Sequence, residues 1–178
     1  MNRWRLRRDY SFLYTEDPVK YPQESKHALD CKPYNTKKAS VTWDTCTLRS
    51  WLNNEFINEA FTTAEKAKIP TVTVSADKNP SYYYTNPGRA TQDKVFLLSI
   101  PEVNKYSFEK RCKATTYAKK NGSDTDAAGF CVWWLRSPGR DQDYAADVDD
   151  DGSVDAYGYG VRIDGGSVRP ALWINLNS

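Results

Sequence analysis

Four aspartates, Asp147, Asp149, Asp151 and Asp155, carry the clearest chemical spacing in the chain. With Gly152 after the third of them they follow a D-x-D-x-D-G-x-x-D order, in which calcium loops wrap carboxylates and a backbone carbonyl around a hard cation. The pattern is incomplete, because Gly158 stands where a bidentate Glu would close the site and no entering helix is expected. An exposed acidic patch is therefore the favoured reading, and no bound metal is assigned. His27, the only histidine, and Cys31 could form a base and nucleophile pair, which requires hydrogen-bond reach between them. Both lie in a loop-like segment without an orienting acid, so no catalytic residue and no cofactor are assigned. Cys31, Cys46, Cys112 and Cys131 lack C-x-x-C spacing, which argues against zinc or thioredoxin chemistry. Buried free thiols are expected, with disulfides the alternative in an exported protein.

Aromatic and basic residues offer further candidates. Trp133, Trp134 and Trp173 could line a ligand cage, but aromatic residues within apolar strands belong more often to the core. Arg136 and Arg169 are expected to hold loops through backbone carbonyls. Tyr82, Tyr83 and Tyr84 either flank a site or pack their own loop, and the sequence does not decide between these. The Arg3 to Arg8 cluster reads as a solvated or linker segment.

These residues need elements to position them. Leu48, Leu52 and Phe56 recur every four residues, with Ile57, Ala60 and Phe61 widening the stripe, which predicts a one-face-buried helix within Thr45–Phe61. Thr62 to Glu65 spells a capping box for a short second helix that Pro70 stops. Thr71–Val74 and Lys94–Ser99 read as strands, Lys78–Arg89 as an ordered loop, and Arg111–Lys120 as a third helix closed by Asn121-Gly122. From Phe130 onward, short apolar runs separated by Gly and Asp (FCVWWLR, AADV, SVDAY, VRI, VRPALWINL) predict strands. Ala146, Val148 and Val154 around the Asp149–Gly152 turn suit a hairpin with its acids outward. Helices first and a small antiparallel sheet second make an α+β fold.

The 178 residues, 39% of them apolar, suffice for one core and are read as one domain, 1–178, whose first 33 residues are poorly assigned. The near balance of 25 bases and 23 acids speaks against a nucleic-acid partner. No run is long enough for a membrane span, and the basic start lacks an apolar h-region. The expectation is an intracellular protein, or a chain that begins after a leader and is displayed on a cell or phage surface.

The stretch 140–167 stands apart. Asp141 to Asp155 holds seven aspartates without a cation, and Arg140 to Ser167 contains no Lys, Glu, Met or Trp. Its residues are encodable by triplets ending in C or T, with Gln142 the one exception. Such a bias is expected where adenines in Asn-type codons are randomised. Tyr, Ser, Gly and Asp are also the side chains that serve paratopes, Tyr as rigid amphipathic area and the others as adaptable polar contacts. Within the stretch runs an apolar skeleton of Ala145, Ala146, Val148, Gly152, Val154, Gly158 and Val161.

WWLRSPG (133–139), that skeleton and VRPALWINL (168–176), with WDTCTLRSWLN (43–53) and DKVFLLS (93–99), resemble the signature of a bacterial and phage domain family of unknown function. Many of its members are variable proteins of diversity-generating retroelements. The resemblance implies a C-type-lectin-like fold and a non-catalytic, diversified surface that binds a protein or glycan, a basic one if the acids cluster. It carries the variable positions over to Arg140, Asp141, Asp143, Tyr144, Asp147, Asp149, Asp150, Asp151, Ser153, Asp155, Tyr157, Tyr159, Arg162 and Asp164. Gln142, and Gly165-Gly166-Ser167 where one Gly is expected, depart from the pattern. The same fold also occurs in formylglycine-generating enzymes, which makes an oxidase the catalytic alternative, and a calcium-stabilised structural module is a third reading. Fold likeness alone does not carry function.

Overall fold

The computed structural model describes residues 23–24, 27–106 and 108–175. The Arg3 to Arg8 cluster lies outside them. Two short strands, β1 (Gln23–Glu24) and β2 (Asp30–Cys31), precede a helical run in which α1 (Thr47–Trp51) passes through a π-helical stretch (Leu52–Phe56) into α2 (Ile57–Ala60). Then follow α3 (Thr63–Ala67), β3 (Val72–Val74), β4 (Thr91–Asp93), β5 (Val95–Phe96), α4 (Ile100–Lys105) and α5 (Thr116–Lys120). The chain ends in β6 (Trp133–Pro138), β7 (Tyr144–Val148), β8 (Val154–Gly160), β9 (Ser167–Val168) and β10 (Ala171–Leu172). Among the described residues no helix is long and apolar enough to cross a membrane.

The fold is α+β, but the expected single antiparallel sheet is replaced by three. A five-stranded sheet runs β2-β9-β6-β7-β8, a three-stranded one β1-β10-β5, and β3 pairs with β4. The β6–β9 pairing is parallel, because β9 reaches β6 by a crossover and not by a hairpin. One core of Leu48, Leu52, Leu97, Leu98, Trp133, Trp134 and Leu135, with others, joins the helices to the sheets.

Local chemistry explains several departures from the expected elements. Within the π stretch, Asn53 Nδ2 donates to Val95 O at 2.8 Å while its Oδ1 accepts from Lys94 N and Val95 N at 2.9 and 3.1 Å. This side chain stands in for a strand and shortens Lys94–Ser99 to β5. Ser99 then caps α4 in a capping box with Glu102, with Pro101 in the first turn, a helix the apolar run concealed. The third helix begins only after its cap, Thr115, since Lys113 and Ala114 bridge to Phe130 and Ala28. Val161–Ile163 is a turn, with Ile163 N donating to Gly160 O at 3.0 Å.

The two N-terminal motifs meet at a buried carboxylate. Asp93 accepts from Trp43 Nε1 at 3.0 Å, from Arg49 Nε at 2.8 Å and from Thr91 Oγ1 at 2.6 Å. Arg136, 3% exposed, donates to Leu97 O and Ser75 O at 2.9 and 3.2 Å and pairs with Asp77 and Glu102. Arg169 donates to Glu109 O at 3.1 Å. Both arginines hold loops through carbonyls, as their positions suggested, and Trp133 and Trp134 are core at 0% and 1% exposure. Trp173 is half-buried and packs against that core.

Candidate functional site

The β7–β8 hairpin turns on Gly152, whose φ of +88° suits the left-handed position that closes such a loop. Its N–H donates to Asp149 O at 2.9 Å, and Asp149 N donates to Ser153 O at 2.9 Å. The pairing runs Val148 with Val154 and Asp147 with Asp155, then slips so that Ala145 opposes Tyr159. Gly158 sits in the bulge with φ +72°, where a Cβ would lie 2.1 Å from Ala145 O.

This irregularity sorts the residues of 140–167. Ala145, Ala146, Val148, Gly158 and Val161 are buried. Of the fourteen positions expected to vary, Asp141, Asp151, Ser153, Tyr157, Tyr159, Arg162 and Asp164 are exposed, while Arg140, Asp143, Tyr144, Asp149, Asp150 and Asp155 are half-buried. Asp147 is the exception at 0% exposure, which corrects the expectation that the hairpin acids all face outward.

An aromatic ridge runs across the face. Tyr144 meets Tyr157 edge-on at 5.9 Å, Tyr157 meets Tyr82 at 6.3 Å, and Tyr82 meets Tyr84 at 6.1 Å. The Arg140 guanidinium lies 4.3 Å from the Tyr157 ring centre and 5.3 Å from that of Tyr144. Tyr82–Tyr84 thus flank the hairpin, a question the sequence left open. They are held there by Asn79, whose Nδ2 donates to Pro138 O and Ala156 O at 2.8 and 2.7 Å while its Oδ1 accepts from Ser81 N and Tyr82 N. Beside the ridge opens a concavity of about 310 Å³ lined by Lys38, Asp143, Tyr144, Val161, Arg162 and Ile163. The large hydrophobics exposed among the described residues, Tyr83, Tyr84, Tyr157, Tyr159 and Ile163, all belong to these two segments.

A family model described as "Domain of unknown function (DUF6273)" matches residues 2–176. The chain belongs to the DUF6273 family. No curated protein and no solved structure matches it.

The acids of the DUF6273 hairpin do not form the loop their spacing suggested. Asp147, Asp149 and Asp155 converge, but Asp151 is exposed and its Oδ1 accepts from Ser153 N at 2.8 Å. The Ser153 hydroxyl, and then this N–H, lower the Asp151 pKa. A hairpin brings together residues across strands, here Asp147 and Asp155, whereas the calcium-loop pattern assumes consecutive ligands around one turn. Neither oxygen of Asp147 has a hydrogen-bond partner, and the Tyr159 N–H approaches without reaching bonding geometry. Burial, then Asp155 and Asp149, push its carboxyl up to about 8. Burial, then Asp155, Asp151 and Asp150, raise Asp149, and burial, then Asp149, Asp147, Asp155 and Asp124, raise the Tyr159 hydroxyl.

Other candidates are separated from this face or chemically quiet. Cys31 donates its thiol to Asp164 O at 2.7 Å. Burial, then Asp30 and Asp164, push its pKa up to about 12, opposite to the depression that activates a nucleophile. All four cysteines are buried free thiols, the expected state. Sequence reasoning missed Asn79, Lys38 and the role of Gln142. Gln142 stands out in the sequence only as the exception to the codon bias, and its side chain bonds Asn86 and Val41 of neighbouring loops.

Proposed function

We propose that this DUF6273 domain is a non-catalytic display module, a C-type-lectin-like scaffold whose 140–167 face is diversified by a retroelement and binds a protein or glycan partner. One observation carries it: thirteen of the fourteen positions expected to vary reach solvent, while five of the seven skeleton positions, Ala145, Ala146, Val148, Gly158 and Val161, are buried and the other two, Gly152 and Val154, are half-buried. Variation at the first set leaves the packing of the second untouched.

The surface chemistry agrees with recognition. Clustered exposed tyrosines beside an arginine are the side chains that dominate binding surfaces, and contiguous exposed apolar area marks interaction sites. The acids of the hairpin favour a basic partner, whose affinity falls with added salt.

The deciding experiment sequences the gene in related isolates and maps substitutions onto the structure. The expected result confines them to the thirteen solvent-reaching positions, with Gln142 and the buried skeleton constant and a near-identical template copy beside the gene. Substitutions spread evenly along the chain, with no such copy, would overturn the proposal.

A further inference from the structure

Asp147, Asp149 and Asp155 each offer a carboxylate oxygen, and the three atoms lie within 4.8 Å of one another. Calcium binds oxygens at about 2.3–2.6 Å, so two oxygens on one ion lie at most ~5 Å apart, and this spacing suits one shared ion without backbone movement. Acidic clusters on exposed hairpins are common. This one contains a carboxylate at 0% exposure with neither oxygen partnered. An ionised carboxylate so placed has lost water and has only the nearby Tyr159 N–H in return, a costly state that either a proton or a cation relieves. No Lys, Arg or His among the described residues forms an ion pair with any of the three.

The donor set also selects the ion. Oxygen ligands without His, Cys or Met suit hard cations. Three converging carboxylates suit calcium better than magnesium, which keeps most of its waters and takes one or two. Asp155 Oδ1 accepts from Tyr157 N at 2.8 Å, so the backbone orients that carboxylate and leaves its second oxygen for the ion. We propose that Asp147, Asp149 and Asp155 hold a divalent cation of the calcium class, bridging the two strands of the hairpin, with water completing the coordination. The site is built by cross-strand pairing, excludes Asp151, and does not depend on whether the surface is diversified.

Calorimetric titration of the chelator-treated protein with calcium chloride tests this, with terbium emission sensitised by Tyr159 and Tyr157 as a second readout. Wild type is expected to bind one ion with a Kd on the order of 10⁻⁴–10⁻³ M. Asp147→Asn and Asp149→Asn are expected to weaken it at least about tenfold, and Asp151→Asn to leave it unchanged. Asp147→Asn removes a buried ionisable carboxyl at constant shape, and circular dichroism verifies that it folds; Asp149→Asn lies at the half-exposed edge and gives a second route to the same answer. Absence of both heat and emission in wild type up to about 10 mM, or a loss in Asp151→Asn equal to that in the other two, overturns the site. Because no partner is present, either result leaves the display proposal to its own test.

Discussion

Gln142 and Asn86 pair like two edges of a sheet: Gln142 Oε1 accepts from Asn86 N at 3.0 Å and its Nε2 donates to Asn86 O at 2.9 Å. The same Nε2 donates to Val41 O at 3.1 Å, and Gln142 O accepts from Val41 N at 3.0 Å. One side chain thus ties the 140–144 loop to two others. Gln142→Ala is expected to lower the unfolding free energy by about 1–2 kcal/mol. Gln142→Glu, which loses the donors and sets a carboxylate against carbonyls, is expected to cost at least as much. Urea denaturation measures both, and a wild-type midpoint in either would contradict the staple.

The Asp147 carboxyl is raised to about 8, against about 3.9 in an unfolded chain. Between those values the folded protein holds a proton that the unfolded chain releases. This group's contribution is therefore complete below about pH 4 and is lost as pH rises through about 8. With a chelator present, the Tm of wild type relative to Asp147→Asn is expected to fall steadily from about pH 5 to 9. A difference that is constant or grows across that window would show Asp147 to be ionised and compensated without metal.

Asp93 joins Trp43, Arg49 and Thr91 at the point where the helical run meets β4. Asp93→Ala leaves the indole N–H unpaired and the Arg49 guanidinium with only long bonds to the Asp44 and Gln92 carbonyls, and about 3–5 kcal/mol of stability should be lost. Soluble protein with a near-wild-type Tm would refute the hub.

Gly158 and Gly160 lie two residues apart on β8 with opposite constraints. A Cβ at Gly158 meets Ala145 O at 2.1 Å under a φ of +72°, whereas one at Gly160 meets nothing within 4 Å. Gly158→Ala is expected to destabilise by more than about 3 kcal/mol, and Gly160→Ala to stay within about 0.5 kcal/mol. Thermal melts compare them directly, and equal effects would mean the bulge is not rigid.

Elements with a strong period or cap were legible. Leu48, Leu52 and Phe56 fall on one helical face, and the Thr62 to Glu65 capping box forms as written. The π stretch was not, because it is set by Asn53 reaching Val95, 42 residues away. α4 carried its Ser99 and Glu102 signal but was absorbed into the preceding apolar run. The exposure of most polar positions in 140–167 was legible from its composition, while the burial of Asp147 was not. Strict alternation along β7 would put Asp147 on the side of Ala145 and opposite Ala146, yet Ala145, Ala146 and Asp147 are all buried. β7 is an interior strand between β6 and β8 with residues of both faces buried, a covering from outside the strand that its own periodicity does not record.

β10 lies between β1 and β5, and β9 lies between β2 and β6, so strands that follow the hairpin in the chain occupy interior positions in two sheets. Neither sheet can close on the ribosome until residues beyond the hairpin have emerged. A premature stop or frame error anywhere in 140–167 removes β9 and β10 and leaves both sheets without an interior strand, so such a product is expected to lose the fold. Reading-frame integrity across the hairpin is thereby checked by folding itself.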